Sequence, residues 1–587
     1  MMMGESSQTA SVSVLKRFAK DNLVVQLEEF HGAKDLVIDE ELLRPLDRFA
    51  GVSVLKQHGV EKIYKLEAKC ADVGCERRMY VTRPYVSRMK MIVDHIKLDK
   101  EKKLNIDYRV VFTPKKLALC DHYFEEEGVY GDVKMEELPL DFIVLDDDVM
   151  SMEMPFFFRD LYLNGDLTWI STVARTIKTI QSTFGSIPKV TCFGTASKMV
   201  YDLLQVIMED EREYIPIGGP EISSLVIFDR DVDCVTPLCS QLAYEGLLAD
   251  VFGISSGYVD FGKDVTGSDK STRVLLSSGD PVFQEIRDRH FTSVFPLLSN
   301  KAKQLQVGYN KRNDIQSVSD MKAFVSQDLK NLKQQHKSLS LHISACESIL
   351  KRKTAEEFEK FLHMEQSILD DIEVKETFAF IEECINRQAS QYNVLRLLCL
   401  LSQTRGTADV TRLKSLKLQY LQSYGYEHLL TFNNLSKVGI FNEGPEKKIQ
   451  FQRIKKKMDL VPKNPASINV KNPTDMSYIF GGAYTPLSIK IIEQYICKGL
   501  NTVENLLKPE GISVFENRKP SSVRATKSHL QPSETAKKSV LVVFVGGCTH
   551  SEISALRFLG IKEGYHFMVL TTSITTGVSF VKSLLPP

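Results

Sequence analysis

Ser223-Ser224-Leu225-Val226-Ile227-Phe228-Asp229-Arg230-Asp231-Val232-Asp233-Cys234-Val235-Thr236-Pro237-Leu238 reads as a buried strand that breaks into an acidic turn. Leu225 to Phe228 is a short apolar run of the kind found in parallel strands covered on both faces. Asp229, Asp231 and Asp233 follow at alternate positions, and Thr236-Pro237 opens a new element. Oxygen-rich clusters at the carboxyl end of a strand suit a hard cation such as Mg²⁺, but no phosphate-binding motif accompanies this one. Aspartate in such a place more commonly accepts backbone N–H groups of the next turn and helix, here with Arg230 as a charge partner. On that reading Asp229, Arg230, Asp233, Thr236 and Pro237 are structural, and neither a metal nor a cofactor is expected.

The chain around this motif is long and electrically balanced. Its 587 residues allow several cores, with about three or four domains as the expectation. With 75 basic against 75 acidic residues, it lacks the basic excess that a dedicated nucleic-acid binder needs to neutralise phosphates. The apolar run Val540 to Val545 falls far short of the ~20 residues of a membrane span. The N-terminus has neither the charged nor the apolar region of a secretory signal, and Gly4 is misplaced for myristoylation. The 11 cysteines include no C-x-x-C and no histidine at zinc-finger spacing, so reduced thiols in a cytosolic protein are expected.

The N-terminal third alternates strands with helices. Lys34 to Asp39, Lys62 to Leu66, Met79 to Thr82 and Tyr108 to Phe112 read as strands, with a helix-like stretch from Arg44 to His58. Phe142 to Leu145, Val190 to Phe193 and Leu225 to Phe228 continue the alternation, which predicts parallel, doubly wound sheets. At the far end, Val540 to Val545 runs into Gly546-Gly547-Cys548-Thr549, a helix follows, and His566 to Leu570 is the last strand. Gly546 and Gly547 serve tight strand-to-helix packing on this reading. A strand–helix–strand unit after a long helical block suggests a sheet completed from both sides of an insertion.

In that block Val325, Leu329, Leu332, His336, Leu339, Ile343, Cys346 and Leu350 recur at alternating spacings of four and three, an a/d seam. Lys330, Lys333, Lys337 and Ser340 fall away from it. Thr354 with Glu357 has the pattern of a capping box for a second helix. The stretches Gly444 to Pro473 and Pro509 to Lys538 read as flexible excursions. The basic residues Lys447, Lys448, Arg453, Lys455, Lys456 and Lys457 read as solvated loop charge, with contact to acidic lipid as the alternative.

Three tempting motifs fail on context. Gly253-Ile254-Ser255-Ser256-Gly257 matches a nucleophile elbow, but no strand leads into it. Gly262 and Gly267 have P-loop spacing, yet Ser268-Asp269 stand where a lysine and a hydroxyl residue are required. Gly546-Gly547-Cys548 offers a turn whose N–H groups suit an anion, but its cysteine has no nearby histidine as a base.

Taken together, the Asp229–Leu238 segment, Gly482-Ala483-Tyr484-Thr485-Pro486-Leu487-Ser488 and Gly547-Cys548-Thr549-His550-Ser551-Glu552-Ile553-Ser554-Ala555-Leu556-Arg557 closely resemble the signatures of the Sec1/Munc18 family. Ser423-Tyr424-Gly425-Tyr426-Glu427-His428-Leu429-Leu430 resembles its vacuolar and endosomal branch. The resemblance covers essentially the whole chain and implies a three-domain arch: residues 1–132 as an α/β domain, 133–250 with 475–587 as a discontinuous second one, and 251–474 as a mainly helical insertion with a hairpin at about 320–370. It implies a non-enzymatic protein that holds SNARE helices, a helix-in-groove mode of recognition. It also implies an α-solenoid partner of VPS16-like (VIPAR/SPE-39) type, a small GTPase of recycling endosomes as a further partner, and peripheral recruitment to late endosomes, lysosomes and recycling endosomes. Lys330, Lys333, Lys337 and Ser340 become candidates for the SNARE contact, and Lys417, Tyr426 and Leu429 for the solenoid contact. An adaptor that does not touch SNAREs, or a nucleotide-binding enzyme using the aspartate turn, stays open on sequence alone.

Overall fold

Two large sheets, a two-stranded ribbon and a block of helices make up the computed structural model, which describes residues 12–69, 74–210, 221–310, 329–353, 356–405, 410–442, 451–463, 468–518 and 538–586. The first sheet comprises β1 (Lys34–Ile38), β2 (Val60–Lys65), β3 (Arg77–Thr82), β4 (Asp107–Phe112) and β5 (Val133–Glu137). Their order is β2-β1-β3-β4-β5, and every neighbouring pair is parallel. Parallel neighbours require crossovers, and the helix Val86–Glu101 carries the one from β3 to β4. The stretch from Arg44 to His58 is two helices, Glu40–Asp47 and Val52–Gln57, rather than one. β5 begins at Val133, so the boundary drawn at 132 cuts off the edge strand of this sheet. Lys134, Glu136 and Glu137 give β5 the charged character of an edge, which hides it from an apolar pattern.

Next along the chain are β6 (Ile143–Asp146), β7 (Val149–Ser151), β8 (Lys189–Phe193) and β9 (Ser224–Asp229). β10 (Tyr258–Phe261) and β11 (Thr272–Leu275) form a separate antiparallel ribbon. β12 (Val514–Arg518), β13 (Lys538–Val545) and β14 (Tyr565–Thr571) close the series. The second sheet has the order β12-β8-β9-β13-β14-β7-β6, so strands from both sides of the helical block share it. β9 and β13 lie side by side at its centre, with Val540 opposite Ser224 and Val545 opposite Asp229. Both are buried almost end to end, which explains their unbroken apolar runs. The sheet is parallel only in its middle. β6–β7 is a tight antiparallel hairpin, and β12 adds antiparallel at the other edge from a stretch that read as a flexible excursion.

The helical block shows two further departures. The helix Leu329–Lys353 buries Leu339, His342, Ala345, Cys346 and Ile349, so its seam is rotated from the apolar heptad pattern. His342 takes an inward place because Tyr244 Oη and Asp280 satisfy its ring, while Leu350 is 38% exposed. Val325 and Thr354 lie outside the described residues. Within the supposed excursion from Gly444 to Pro473, Phe451–Met458 is a helix with Phe451, Ile454 and Met458 buried. Among the described residues no helix is long and apolar enough to cross a membrane.

Candidate functional site

The three signature segments meet in one buried cluster at the carboxyl edge of the central strands. β9 delivers Asp229, and a single 3₁₀ turn then carries Arg230 inward. Arg230 is wholly buried, and its Nη1 donates to both carboxylate oxygens of Glu552 at 2.9 and 2.8 Å. Its Nη2 lies 3.5 Å from Asp233. Glu552 also accepts from the backbone N–H of Thr549 at 2.9 Å, while Thr549 Oγ1 accepts from the N–H of Glu552, a capping box that starts the helix His550–Glu563. The third segment enters through Ser488, whose N–H donates to Asp233 at 3.0 Å and whose hydroxyl donates to Glu552.

Both carboxylate oxygens of Asp229 and of Asp233 accept from protein donors. Asp229 Oδ2 accepts from the N–H of Ala196 at 2.9 Å, and Oδ1 from the N–H of Asp231 at 3.1 Å and from the Tyr162 hydroxyl. Asp233 Oδ1 accepts from the N–H of Thr236 at 3.0 Å, and Oδ2 from the Thr236 hydroxyl at 2.6 Å. Pro237 is buried in the short helix Val235–Leu238 that follows. Burial, reinforced by Asp231, pushes the Asp229 carboxyl up to about 7. Among the described residues no group of three histidine, cysteine, aspartate or glutamate side chains is placed to hold a metal.

The glycines keep this cluster tight. Gly546 and Gly547 both have left-handed backbones (φ 101° and 102°). A Cβ on Gly546 would lie 2.8 Å from Arg230 Cβ, and one on Gly547 3.0 Å from Thr575 Cγ2. The N–H groups of Gly546 and Cys548 are taken by Thr572 Oγ1 and Ser573 O, so this turn offers no open anion cradle. The carboxylate that faces the helix N-terminus is the protein's own Glu552. The polar contacts of this site join segments that lie far apart in the sequence. Glu552, Ser488 and Tyr162 were not singled out from sequence, although Thr549-x-x-Glu552 carries a legible capping-box pattern.

The other candidates lie on two separate surfaces. Lys333, Lys337 and Ser340 are exposed on the helix Leu329–Lys353, and Lys330 belongs to its first turns. Beside them, a groove of about 400 Å³ runs between this helix and Phe291–Asn310, lined by Leu305, Gln306, His336, Leu339, Ser340 and Ile343. His336 and Ile343, members of the apolar heptad pattern, thus face an open groove rather than a closed core. The second surface is on the turn between the helices Val410–Tyr424 and His428–Lys437. Tyr420, His428 and Phe432 pack on one another and fill the inner side. Tyr426 is left 63% exposed, with Leu429, Leu430 and Leu418 beyond half exposure. Lys417 lies half-buried with its Nζ 5.5 Å from the Phe432 ring centre. In the basic helix, Lys455 donates to Leu369 O and the exposed Lys457 pairs with buried Glu510, so two of its cations are engaged by the protein itself. Lys447 and Lys448 lie outside the described residues.

A model of the Sec1 family matches residues 34–583. The chain is 43% identical over 616 residues to vacuolar protein sorting-associated protein 33B of Danio rerio, covering 99% of this chain and 98% of that one. It is 42% identical over 615 residues to the Homo sapiens protein of the same name, again with 99% and 98% covered. Among solved structures it is similar to the SM protein Vps45 in complex with the Qa SNARE Tlg2, at a TM-score of 0.60, 16% identity and 97% of each chain. The Unc18–syntaxin 1 complex from Monosiga brevicollis gives a TM-score of 0.60 at 19% identity, covering 98% and 100%. These structural likenesses bear on the fold alone. With near-complete relatives above 40% identity, and with the signature segments folded into one ionic cluster, the chain belongs to the Sec1 family.

Proposed function

We propose that this chain is a non-enzymatic SNARE-binding factor for vesicle-mediated protein transport, and that it works in complex with a VPS16-like α-solenoid of the VIPAR/SPE-39 type. Its parts are an N-terminal α/β unit, a second α/β unit built from both sides of the insertion, and the helical insertion itself. One observation carries the SNARE reading: the groove between Phe291–Asn310 and Leu329–Lys353 has Leu305, Leu339 and Ile343 among its lining residues, and the second of these helices carries exposed Lys333 and Lys337. A SNARE helix with apolar layers and acidic outer residues complements that combination. Two structural neighbours were solved in complex, one with the Qa SNARE Tlg2 and one with syntaxin 1, which supports this reading.

The exposed Tyr426, Leu429 and Leu430 surface supports a second, independent contact, since tyrosine is enriched among the anchors of interface centres and here stands in an exposed apolar patch. We assign it to the solenoid. Recruitment to late endosomes, lysosomes and recycling endosomes, with a small GTPase among the partners, then follows from the assembly. Pull-down of a SNARE set by the purified chain, with and without the solenoid subunit, tests this reading. SNARE capture by the chain supports it, while solenoid capture without any SNARE leaves an adaptor role in its place.

A further inference from the structure

At the N-terminal edge of the first sheet stand two cations for which the described residues supply no carboxylate. Lys34 opens β1 and Arg77 opens β3, and the register that sets Asp35 opposite Arg78 places them side by side. Lys34 is 1% exposed. Among the described residues its ammonium has one acceptor, His58 O at 3.0 Å, and no ion pair. Arg77 is half-buried and has neither a hydrogen bond nor an ion pair among those residues. The carboxylates nearby are committed elsewhere. Arg109 of β4 lies 3.1 Å from Glu136 and 3.7 Å from Glu29, Glu28 lies 3.0 Å from His58 Nδ1, and Asp35 accepts from the N–H groups of Gly74 and Cys75. Asp107 is the partner of Arg77 in the β3–β4 register, yet no ion pair joins them. Burial, and then Arg77 and Arg109, holds the Lys34 ammonium below the ordinary lysine range.

Two glycines bring these cations up to bare backbone. Gly32 and Gly59 have left-handed conformations (φ 92° and 83°). A Cβ on Gly32 would lie 2.6 Å from Arg77 Nη1, and one on Gly59 would lie 3.1 Å from Lys34 Nζ and 2.9 Å from Gly32 O. The guanidinium and the ammonium thus flank one small patch, with exposed His31, Gly32 and Ala33 beside it. Like charges held together without a counterion repel, and burying one of them adds to the cost. An anion that touches both removes that cost. A carboxylate would bring one charge to two cations. A phosphate monoester brings about −1.5 to −2 at neutral pH and three acceptor oxygens, which suit the planar fork of an arginine and the point charge of a lysine.

We propose that Lys34 and Arg77, over Gly32 and Gly59, bind a phosphate monoester carried by a small soluble molecule or by a lipid headgroup. The site belongs to the first α/β unit, whereas the groove beside Leu329–Lys353 and the Tyr426 surface belong to the helical insertion. It therefore goes beyond the SNARE and solenoid readings and stands or falls without either partner present.

The test uses the full-length chain. Melting in inorganic phosphate and in inositol trisphosphate, each against chloride at equal ionic strength, reads the soluble form, since a ligand of the folded state raises the melting temperature. Flotation with phosphatidylcholine vesicles, with and without phosphatidylinositol monophosphate, reads the headgroup form. Wild type should respond in at least one arm. A rise with the soluble phosphates assigns the site to a small molecule, and vesicle binding without such a rise assigns it to a headgroup. Lys34→Met, which keeps the aliphatic stem, and Arg77→Gln should each weaken the response about tenfold or more, as expected of a lost charge-assisted contact. No rise beyond that in chloride, together with no preference for the phosphoinositide vesicles, overturns the proposal. So does a response that either variant retains in full. Should Lys34→Met fail to fold, Arg77→Gln, at the half-exposed position, decides alone.

Discussion

One guanidinium nitrogen of Arg230 reaches both carboxylate oxygens of Glu552, and neither side chain is touched by solvent. The two residues lie 322 positions apart and follow β9 and β13, strands from opposite sides of the helical block. Removing one partner leaves a buried charge without its counterpart. Glu552→Ala should therefore cost about 3–5 kcal/mol, read as a drop in the urea midpoint at unchanged slope. Replacing both by apolar residues, Arg230→Met with Glu552→Leu, should cost less than Glu552→Ala alone. A single variant as stable as wild type would contradict the central role of this pair.

Asp229 offers a pH test with a definite sign. Burial first, then Asp231, raises its folded-state pKa to about 7 from an unfolded value of about 3.9. A raised folded pKa means that the proton favours the folded state: its stabilising contribution is complete below about pH 3.9 and is lost as pH rises through about 7. Asp229→Asn should flatten this component of the stability profile between about pH 4 and pH 7. Asp233→Ala removes the acceptor for the Thr236 and Ser488 N–H groups and should cost at least the ~0.5–2 kcal/mol of a lost cap. Melting temperatures across pH, with and without Mg²⁺, check both. A Mg²⁺-induced stabilisation of wild type that either substitution abolishes would return the aspartates to a metal-binding role.

How far the sequence could be read depends on which physical signal each element carries. β9 and β13 are buried on both faces, so Leu225–Phe228 and Val540–Val545 appear as apolar runs and were legible. β5 and β12 are edge strands containing Lys134, Glu136, Glu516 and Arg518, and charge at an edge erases the pattern that marks a strand. Asp229 and Asp233 were legible as caps because a cap is local. The Arg230–Glu552 pair was not, because only the folded sheet brings its two ends together. The hairpin seam was misread by about one position because His342 is buried by satisfied hydrogen bonds rather than by apolarity.

Tyr426 provides the test of the proposed solenoid contact. Its ring stands on a turn whose inner side is already filled by Tyr420, His428 and Phe432, so a substitution there removes surface and little core. Tyr426→Asp should leave the melting temperature near that of wild type and weaken co-purification of the solenoid by about 2 kcal/mol or more, the size expected of an aromatic anchor. Leu429→Asp should act in the same direction. Binding retained by both variants, measured by calorimetry with the purified subunit, would place the partner elsewhere.

The hairpin helix separates SNARE contact from solenoid contact. Lys333 and Lys337 are exposed on the helix that forms one wall of the groove, whereas Tyr426 lies on the turn between two other helices. Reversing Lys330, Lys333 and Lys337 to glutamate replaces three positive charges of this helix by negative ones, which an acidic SNARE flank would meet as repulsion. Exposed pairs are worth at most about 1 kcal/mol each, so the triple variant should lose about tenfold or somewhat more in SNARE affinity. The loss should fall mainly on association rate, and the residual binding should depend less on salt. A second substitution probes the lining of the same groove. Ile343→Asp puts a carboxylate where an apolar SNARE layer would seat and should raise the dissociation rate, because burying an unpaired charge is costly. Solenoid binding should survive both changes. If both variants stay helical and SNARE affinity is unmoved, the groove is not where a SNARE binds, and a role confined to organising the solenoid partner takes its place.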